Sequence, residues 1–558
     1  SAACEKIAQD GTKLVITVDT GISAFEETKL LAQRGVTLIV TDHHDPRETL
    51  PEAYAVVNPK QEGCEYPFKE LAGVGVAFKL VCAVEKQKNA RMSERALFQK
   101  YGELVCLGTV ADVVPLMSEN RLIVIRGLKL ISEGGNVGIA ALLEEAGVRG
   151  RRLTSTLLSF TAAPKINACG RISTAGDAFE LLTCTDPEKA KEIARKLDEN
   201  NRERREIEAQ ILKETIDKID ENESLRLSPI IIVSGEKWHN GVIGIVASRL
   251  VERYGKPAVV VSFNGDIGRA SCRSIHGFNI HSALMSCSQY LERFGGHELA
   301  AGFSVKRENY DTIYTALNQA ASVQPELPTL KVCPDMKLHG YEISLSTARE
   351  VRKLEPFGSG NPAPLFYVPA AQITALSPVG DGHTRLTLNC EGFEFSAIMF
   401  GTDRNGFDFS VSDIVDLAVS LDVNLYKNNE TTSVVVKNIR KSACFEYYSG
   451  LYKLFLKGSP ISPDTLKVRL KPSRDEFAAV FRLMNSGGGT IFLEKACKDI
   501  CRTKPHFNFF KLLLIKDVFS EMGIIETEKE SDDGEKVTYR LCSGVKVDLA
   551  ASALLKKL

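Results

Sequence analysis

Acidic residues and histidines follow apolar runs at two places near the start of the chain. Asp42, His43 and His44 follow the run GVTLIVT, and Asp19 ends the earlier run KLVITVD. Continuous apolar runs joined by a helical pattern are typical of parallel strands, whose carboxyl ends meet at one edge of a sheet. We therefore expect these side chains to converge at that edge, which is the arrangement that a metal site needs.

A further carboxylate stands in the apolar segment GTVADVVPL. A lone charge in such a setting is costly unless it is paired or bound to a metal, so Asp112 is a candidate ligand. A set of carboxylates and imidazole suits Mn²⁺ or Mg²⁺ better than zinc, for which cysteine ligands would be expected. Sites of this kind commonly hold two ions about 3.5–4 Å apart, which activate water and bind a phosphoryl group. The pattern therefore predicts hydrolysis of a phosphate ester.

Each of these residues also has an ordinary structural interpretation. Asp19 stands four residues before a predicted helix and suits an N-cap as well as it suits a metal ligand. A single histidine at the position of His43 or His44 is more often structural than functional. Because both follow Asp42 at one strand end, their combination favours a site.

The elements that would position these residues alternate in the α/β manner. The pattern predicts strands over 13–19, 36–42 and 54–59, and helices over 23–35, 72–88, 94–111 and 121–133. From 186 to 224 neither Gly nor Pro occurs after Pro187, and apolar residues recur at helical spacing on a charged surface. A helix this long and this polar usually bridges two domains.

Three further regions follow the predicted long helix. A second α/β unit starts at SPIIIVSGE, and a linker is predicted near 325–335. Short alternating runs up to about 441 predict a small all-β barrel. Helices over 474–485 and 507–522, followed by two strands around an Asp-Asp-Gly turn, predict a winged-helix-like module.

Length and composition indicate a multidomain protein of ordinary globular character. A chain of 558 residues is too long for one core, and one domain per roughly 150 residues predicts about three to five domains. Because the net charge is −1, any surface that binds nucleic acid must be a local basic patch. The 14 cysteines lack paired zinc spacing, and neither a signal peptide nor a run of 18 apolar residues occurs, so we expect a reduced, cytoplasmic protein.

Seven sequence blocks occur in a fixed order along the chain. They are VDTG, TDHHD, GTVADVVPL, PKINACGRI, WHNGVIGIVASRL, GRASCRSIHGF and FGGHELAAGF. In this order they resemble the DHH phosphoesterase superfamily and, within it, the RecJ family of single-strand-specific 5′→3′ exonucleases. The resemblance covers nearly the whole chain and is highly specific, whereas the DHH triplet alone would be weak evidence for the family.

The resemblance implies a mixed α/β architecture of several domains. A parallel-sheet DHH domain is joined by a long helix to an α/β DHHA1 domain, and an all-β OB-fold and a small α+β C-terminal module follow. The expected boundaries are 1–185 for the DHH domain, 186–227 for the connecting helix, 228–325 for DHHA1, 326–441 for the OB-fold and 442–558 for the winged-helix-like module.

The resemblance also implies roles for individual residues. Two Mn²⁺ or Mg²⁺ ions are expected in the complete protein, with Asp19 bridging them and His43 and Asp112 as ligands of the second ion. Asp42 would support the histidine ligands, and His44 and His297 would face the scissile phosphate. Further contacts implied for the strand are Arg171, Ser271 and Arg273 at the 5′-phosphate, and Phe357, His383 and Arg385 on the OB-fold, where a structural role for Phe357 is equally expected.

One part of the family pattern has no counterpart here. No DxD motif precedes Asp19, and Asp10 stands alone in QDG, so ligands of the first metal are missing. We expect a chain that lacks its natural beginning or has lost catalysis, and that binds single strands but cleaves them poorly.

The predicted function is hydrolysis of single-stranded DNA from the 5′ end in repair and recombination. A phosphodiesterase acting on oligoribonucleotides or cyclic dinucleotides is one alternative, and a non-catalytic single-strand-binding scaffold is another. The expected partners are single-stranded DNA, single-strand-binding protein and a helicase. No membrane association is expected, and the protein is predicted to be a monomer.

Overall fold

The computed structural model describes two compact units. The described residues are 2–88, 92–322, 331–380, 382–402, 407, 409–426, 429–442, 445–461, 470–504, 507–530, 536–542 and 548–558. The first unit comprises Ser1–Lys331 and Glu355–Pro362, and the second comprises Val332–Leu354 and Ala363–Leu558. The predicted Asp-Asp-Gly turn and most of the predicted linker near 325–335 lie outside the described residues. None of the helices in these ranges combines the length and apolar character that crossing a lipid bilayer requires.

The first unit opens with three parallel strands and a set of helices. Its elements are α1 Ala2–Gln9, β1 Leu14–Val18, α2 Phe25–Gln33, β2 Thr37–Thr41, β3 Ala55–Val57, α3 Gly73–Lys88, α4 Glu94–Ala111, α5 Ser118–Glu133, α6 Val137–Glu145, α7 Ser155–Ile172, α8 Gly176–Thr183 and α9 Pro187–Glu221. The strands pair in the order β1-β2-β3 with parallel register. The predicted strands and the predicted long helix are therefore confirmed.

The carboxyl ends of β1 and β2 are tied together by a side chain. The Thr41 hydroxyl donates to the Thr17 carbonyl at 2.7 Å across the register that aligns Val18 with Thr41. Val40, in the middle strand, is fully buried. The two strands thus end side by side, and the residues that follow them emerge at one edge of the sheet.

The long helix α9 contributes to two separate hydrophobic cores. Pro187 occupies its first turn, and the Asp186 side chain accepts from the backbone N–H of Glu188 at 2.9 Å, so the helix begins with a proline and an N-cap. Near its start Ala194 and Leu197 are fully buried against α6, α7 and α8. Near its end, Ile219 is buried in the core of the next region. Burial near both ends therefore anchors a helix whose remaining surface is largely charged.

The second half of the first unit is a five-stranded mixed sheet with helices. Its elements are α10 Glu223–Leu227, β4 Ile231–Glu236, α11 Ile243–Tyr254, β5 Ala258–Asn264, β6 Ile267–Arg273, α12 Ile280–Ser286, β7 Arg293–Gly296, β8 Ala300–Lys306 and α13 Tyr310–Ser322. The strand order is β4-β5-β6-β8-β7, in which only β4 and β5 are parallel. The predicted second α/β unit is confirmed.

The second unit contains a closed five-stranded barrel. Its elements up to residue 441 are β9 Met336–Lys337, α14 Leu345–Arg352, β10 Phe366–Val379, β11 His383–Cys390, β12 Phe393–Met399, β13 Ile414–Tyr426 and β14 Asn429–Lys441. The strands follow the order β11-β12-β14-β13-β10, and β10 also pairs with β11, which closes the ring. Only β12 and β14 are parallel within that ring. The predicted all-β barrel is therefore confirmed as an OB-fold.

The C-terminal region of the second unit is a small α+β module. Its elements are α15 Phe445–Leu456, α16 Arg474–Ser486, β15 Thr490–Phe492, α17 Leu493–Thr503, α18 Phe509–Glu521, β16 Ile525–Glu530, β17 Lys536–Leu541 and α19 Ala553–Lys556. The strand order is β15-β17-β16, antiparallel throughout. From α16 onward the chain runs as helix, strand, two helices and a two-stranded ribbon, which is the order of a winged-helix module. That assignment and the domain boundaries stay predictions.

A segment between α14 and β10 packs with the first unit, although barrel elements flank it in the chain. The Ser155 hydroxyl donates to the Phe357 carbonyl at 2.6 Å, and the Arg121 guanidinium donates to the Glu355 carbonyl at 2.8 Å. Phe357 thus belongs to Glu355–Pro362, whose contacts group it with the first unit, and its predicted contact with the bound strand stays a prediction. Sequence position near the barrel strands thus does not determine which core a loop joins.

Candidate metal centre and phosphate site

Three potential ligands meet beyond the ends of β1 and β2. The Nε2 atom of His43 lies 3.0 Å from Oδ1 of Asp19 and 3.3 Å from Oδ2 of Asp112. Asp19 follows β1, His43 follows β2, and Asp112 is the C-cap of α4. Ligand atoms of Asp19, His43 and His44 all lie within 4.8 Å of one another. The structure therefore brings together the residues that the parallel-strand argument placed at one edge.

The orientation of His43 fits a bound cation. Its Nε2 is buried and makes no hydrogen bond within the described residues, although two carboxylates lie close to it. The two carboxylates thus lie close to Nε2 of His43, but neither has the geometry of a hydrogen bond to it. Adjacent ligands of an octahedral ion with bonds of about 2.0–2.1 Å stand about 3 Å apart, which matches these separations. One nitrogen and two carboxylate ligands suit Mn²⁺ or Mg²⁺.

The electrostatics of the cluster show how strongly its members interact. Contact with the Asp19 carboxylate raises the pKa of His43, burial opposes that shift, and the charge of Asp112 reinforces it. Burial raises the pKa of Asp112, the positive charge of His43 opposes this, and the Asp19 carboxylate adds to it. Two carboxylates around one imidazole form a site that attracts positive charge.

Asp42 is the buried support of this edge and does not touch the ring of His43. Its carboxylate is only 1% exposed and accepts from the backbone N–H groups of Ile22, His43 and His44 at 2.9, 2.8 and 3.2 Å. It also binds Nδ1 of His44 at 2.7 Å. Burial raises the pKa of Asp42, but the bonds from the His44 ring and the backbone outweigh it, so that its pKa is lowered. The carboxylate therefore fixes the His44 ring and leaves Nε2 of that ring directed elsewhere.

Two residues of this edge were missed by the sequence argument. A Cβ on Gly73 would lie 2.1 Å from Oδ1 of Asp19, so only glycine leaves room for that carboxylate at the start of α3. The Asn58 amide, after β3, donates to the His44 carbonyl at 2.9 Å. The Asn-Pro that ends the third predicted strand was the available signal for Asn58, whereas Gly73 left none. The N-cap of α2 is Ala24, so Asp19 does not cap that helix.

The loop that carries Asp112 packs against the segment Glu355–Pro362. Val113 adopts a positive φ of 60°, and the Leu116 N–H donates to the Ser359 carbonyl at 2.7 Å. A Cβ on Gly358 would lie 2.7 Å from the Leu116 side chain, and one on Gly360 would lie 3.0 Å from Pro115. The segment Glu355–Pro362 therefore approaches the Asp112 loop more closely than a side chain would permit.

A second group of the predicted residues lies on the five-stranded sheet. Ser271 and Arg273 stand two residues apart on β6, and the Arg273 guanidinium donates to the Ser271 hydroxyl at 3.2 Å. The first turn of α11 touches both, because a Cβ on Gly244 would lie 2.9 Å from Oγ of Ser271 and 3.2 Å from Nη2 of Arg273. A hydroxyl and a guanidinium beside the start of a helix form a cradle suited to phosphate.

Arg171, at the end of α7, reaches the same sheet region. Its guanidinium donates to the Gly241 carbonyl at 2.9 Å, just before α11 begins. Burial lowers the pKa of Arg171, and the charge of Arg204 adds to this effect. Burial also lowers the pKa of Arg273, and the charge of Arg171 contributes to that shift. Two guanidiniums that repel each other in a partly buried setting favour an anion between them.

The structure places His297 and the barrel candidates away from buried cores. His297 follows β7, where its N–H donates to the Ala300 carbonyl at 2.8 Å, and its ring has no hydrogen bond or ion pair within the described ranges. His383 opens β11, and its ring meets that of Phe400 edge-on at 5.0 Å. Arg385 is exposed two residues along the same strand. The aromatic and basic groups thus share one part of the barrel surface formed by its second and third strands.

Comparisons with known proteins agree with this architecture. The DHH family, N-terminal domain, matches residues 2–109, the DHHA1 domain matches residues 227–322, and the RecJ OB domain matches residues 334–438. The crystal structure of RecJ in complex with Mn²⁺ from Thermus thermophilus is similar with a TM-score of 0.68 and 24% identity, over 92% of this chain and 83% of that one. At this identity the likeness shows the fold.

Sequence relatives extend the comparison to the family. The single-stranded-DNA-specific exonuclease RecJ of Bacillus subtilis is 34% identical over 78% of this chain, and the chain spans 55% of that relative's length. The protein of the same name from Haemophilus influenzae is 34% identical over 78% of this chain and 79% of its own length. Because a relative of this identity is matched over more than two thirds of its length, the chain belongs to the RecJ family of single-stranded-DNA-specific exonucleases.

Proposed function

We propose that this chain hydrolyses single-stranded DNA from the 5′ end with a divalent metal, in repair and recombination. The observation that carries the proposal is the convergence of Asp19, His43 and Asp112 on one point, within the same compact unit as the arginine-lined phosphate cradle. A metal centre and a phosphate site in one unit fit a phosphodiesterase that measures from a phosphorylated terminus.

The proposed ligands of the ion are Asp19, His43 and Asp112. The ion, Mn²⁺ or Mg²⁺, would supply an activated water and stabilise negative charge on the phosphate. Other residues position these ligands. Gly73 leaves room for the Asp19 carboxylate, and Asp42 accepts from the backbone N–H of His43 and so fixes the turn from which His43 projects. This set accounts for one ion. Two ions in the complete protein, and slow cleavage by a chain without the DxD motif, stay predictions.

His44 is proposed to contact the scissile phosphate. Because Asp42 holds Nδ1, Nε2 is the atom left to face the strand, and the side chain is 54% exposed. That atom is proposed to contact an oxygen of the phosphate. His297, exposed beyond β7, is proposed to reach the same phosphate.

The terminal 5′-phosphate is assigned to Arg171, Ser271 and Arg273. Two guanidiniums and a hydroxyl supply several donors to phosphate oxygens. A fixed separation between this cradle and the metal centre would set the product length, and mononucleotides are the expected product. No base is read by these contacts, so the specificity would be for a strand end.

The barrel is proposed to hold the strand at a distance from its end. His383, Phe400 and Arg385 provide rings for stacking and a charge for the backbone, at about 1–3 kcal/mol for each stacked base. Single-strand-binding protein and a helicase stay the predicted protein partners, and a monomer stays the predicted state.

The proposal is tested by measuring Mn²⁺-dependent release of nucleotides from a 5′-phosphorylated single strand. His43→Gln and Asp112→Asn should abolish release, and Mn²⁺ binding followed by electron paramagnetic resonance should weaken in both. Asp10→Asn is the matched control, since this exposed carboxylate lies outside the site. Release that persists in both ligand variants would overturn the assignment of the metal centre.

A further inference from the structure

A groove lies on the five-stranded sheet beside the proposed 5′-phosphate cradle. It encloses about 380 Å³ and is lined by Ile243 of α11, Arg269 and Ser271 of β6, Arg293 of β7, and Gly302 and Ser304 of β8. Ser271 belongs both to this groove and to the cradle, because it binds the Arg273 guanidinium. The groove is therefore a continuation of the phosphate site.

The sheet register arranges the groove in parallel rows. In one row Arg269 faces Ser304, which faces Arg293, and in the next row Ser271 faces Gly302, which faces Gly295. No atom would meet a Cβ on Gly295 within 4 Å, and one on Gly302 would lie 3.2 Å from a backbone oxygen. Beyond Ser271, the second row thus carries no side chain beside the row of the two arginines.

The two arginines have no partner among the described residues. Neither guanidinium forms an ion pair or a hydrogen bond there, and both are exposed. Their strands are separated by β8, whose Ser304 offers a hydroxyl between them. Two uncompensated guanidiniums around a hydroxyl present the donors that recognise a phosphate group.

We propose that Arg269 and Arg293 bind a second phosphate, covalently continuous with the 5′-phosphate held by Arg171, Ser271 and Arg273. Arg269 stands two strand residues from Ser271, about 6.6–6.8 Å along β6. This separation is comparable with that of successive phosphates on an extended strand, and it is within reach of the outer phosphate of a triphosphate. The inference deepens the proposed function and rests on it.

Two sources share this chemistry. The second phosphate belongs either to a phosphoanhydride, as in a 5′-triphosphorylated end, or to the phosphodiester of one additional nucleotide. In both cases hydrolysis breaks the P–O bond at the metal centre and consumes one water. The released product then retains the extra phosphate, as a nucleoside 5′-triphosphate in the first case and as a dinucleotide in the second.

The test measures binding and products for three single strands of one sequence. They carry a 5′-monophosphate, a 5′-triphosphate, or a 5′-monophosphate with a hydrolysis-resistant first linkage. Affinity is measured without divalent metal, so that it does not depend on cleavage, and products are identified by mass.

The triphosphate should bind more tightly than the monophosphate by about tenfold, the factor that one net charge-assisted hydrogen bond contributes. If the source is the phosphoanhydride, the double variant Arg269→Gln/Arg293→Gln should remove this advantage and leave the affinity for the monophosphate within about twofold. If the source is the phosphodiester, the same variant should also weaken binding of the monophosphorylated strand. Arg253→Gln, in the last turn of α11, is the matched control and should change neither. A dinucleotide from the resistant strand would identify the phosphodiester as the second source.

Equal affinities for mono- and triphosphate in the wild-type protein, with no effect of the double variant, would overturn the second subsite alone. Equal affinities for strands with and without any 5′-phosphate would overturn the cradle as well, and with it the proposed function's account of the 5′ end. The two failures are therefore distinguishable.

Discussion

The backbone N–H of Leu116 donates to the Ser359 carbonyl at 2.7 Å and joins two segments that are remote from each other in the chain. Leu116 lies in the loop that begins at Asp112, and Ser359 lies between helix α14 and strand β10. The position of a proposed metal ligand therefore depends on a segment whose neighbours in sequence build the barrel.

Gly358→Ala tests this dependence. The new Cβ would lie 2.7 Å from Cδ1 of Leu116, so the Leu116 side chain, in the loop that carries Asp112, must shift. We expect the Mn²⁺ affinity and kcat to fall about tenfold, as happens when the support of a metal ligand is disturbed. The affinity for single strands should remain unchanged. Gly450→Ala, at a position in α15 with open space around the new Cβ, is the control for a glycine substitution, and an equal loss there would contradict the positioning role.

Gly73→Ala should disturb the other carboxylate. Its Cβ would stand 2.1 Å from Oδ1 of Asp19, and the carboxylate would have to leave its place beside Nε2 of His43. We expect Mn²⁺ binding, followed by calorimetry, to weaken by about tenfold or more. Unchanged binding would show that Asp19 is not a ligand.

Asp42→Asn separates the role of His44 from that of His43. The amide can no longer accept from Nδ1 as a carboxylate does, so the His44 ring loses its charged partner. We expect kcat to fall about 10–100-fold. Mn²⁺ affinity should change much less, because Asp42 contacts the backbone of His43 and not its ring. A parallel loss of metal affinity and kcat would assign Asp42 to the metal centre.

A prediction for stability concerns the C-terminal module. Lys511 in α18 and Glu476 in α16 form an ion pair of 2.8 Å whose side chains are 5% and 6% exposed. Lys511→Met leaves the carboxylate buried without its cation and should lower the free energy of unfolding by about 3–5 kcal/mol. In urea unfolding, Lys511→Met/Glu476→Gln should recover part of this loss. A double variant no more stable than the single one would contradict this explanation.

Local patterns predicted much of this architecture. The strands before Asp19 and Asp42 followed from their apolar runs, and helix α9 followed from a long segment without Gly or Pro. The convergence of Asp19 with His43 followed from the geometry of parallel strands. By contrast, the close approach of Gly73 to Asp19 depends on packing between elements that share no local signal. The same reason explains why the contact of Phe357 with the first unit was not expected, since its partner Ser155 is remote in sequence.

The most direct measurement follows product formation from 5′-phosphorylated single strands labelled at either end, in Mn²⁺, beside the same sequence as a duplex. The account predicts that the 5′ label appears first in a mononucleotide, that the 3′-labelled strand shortens gradually, that the duplex remains intact, and that Asp112→Asn releases nothing. Release that starts at the 3′ end, equal cleavage of the duplex, or binding of single strands without any hydrolysis would contradict it.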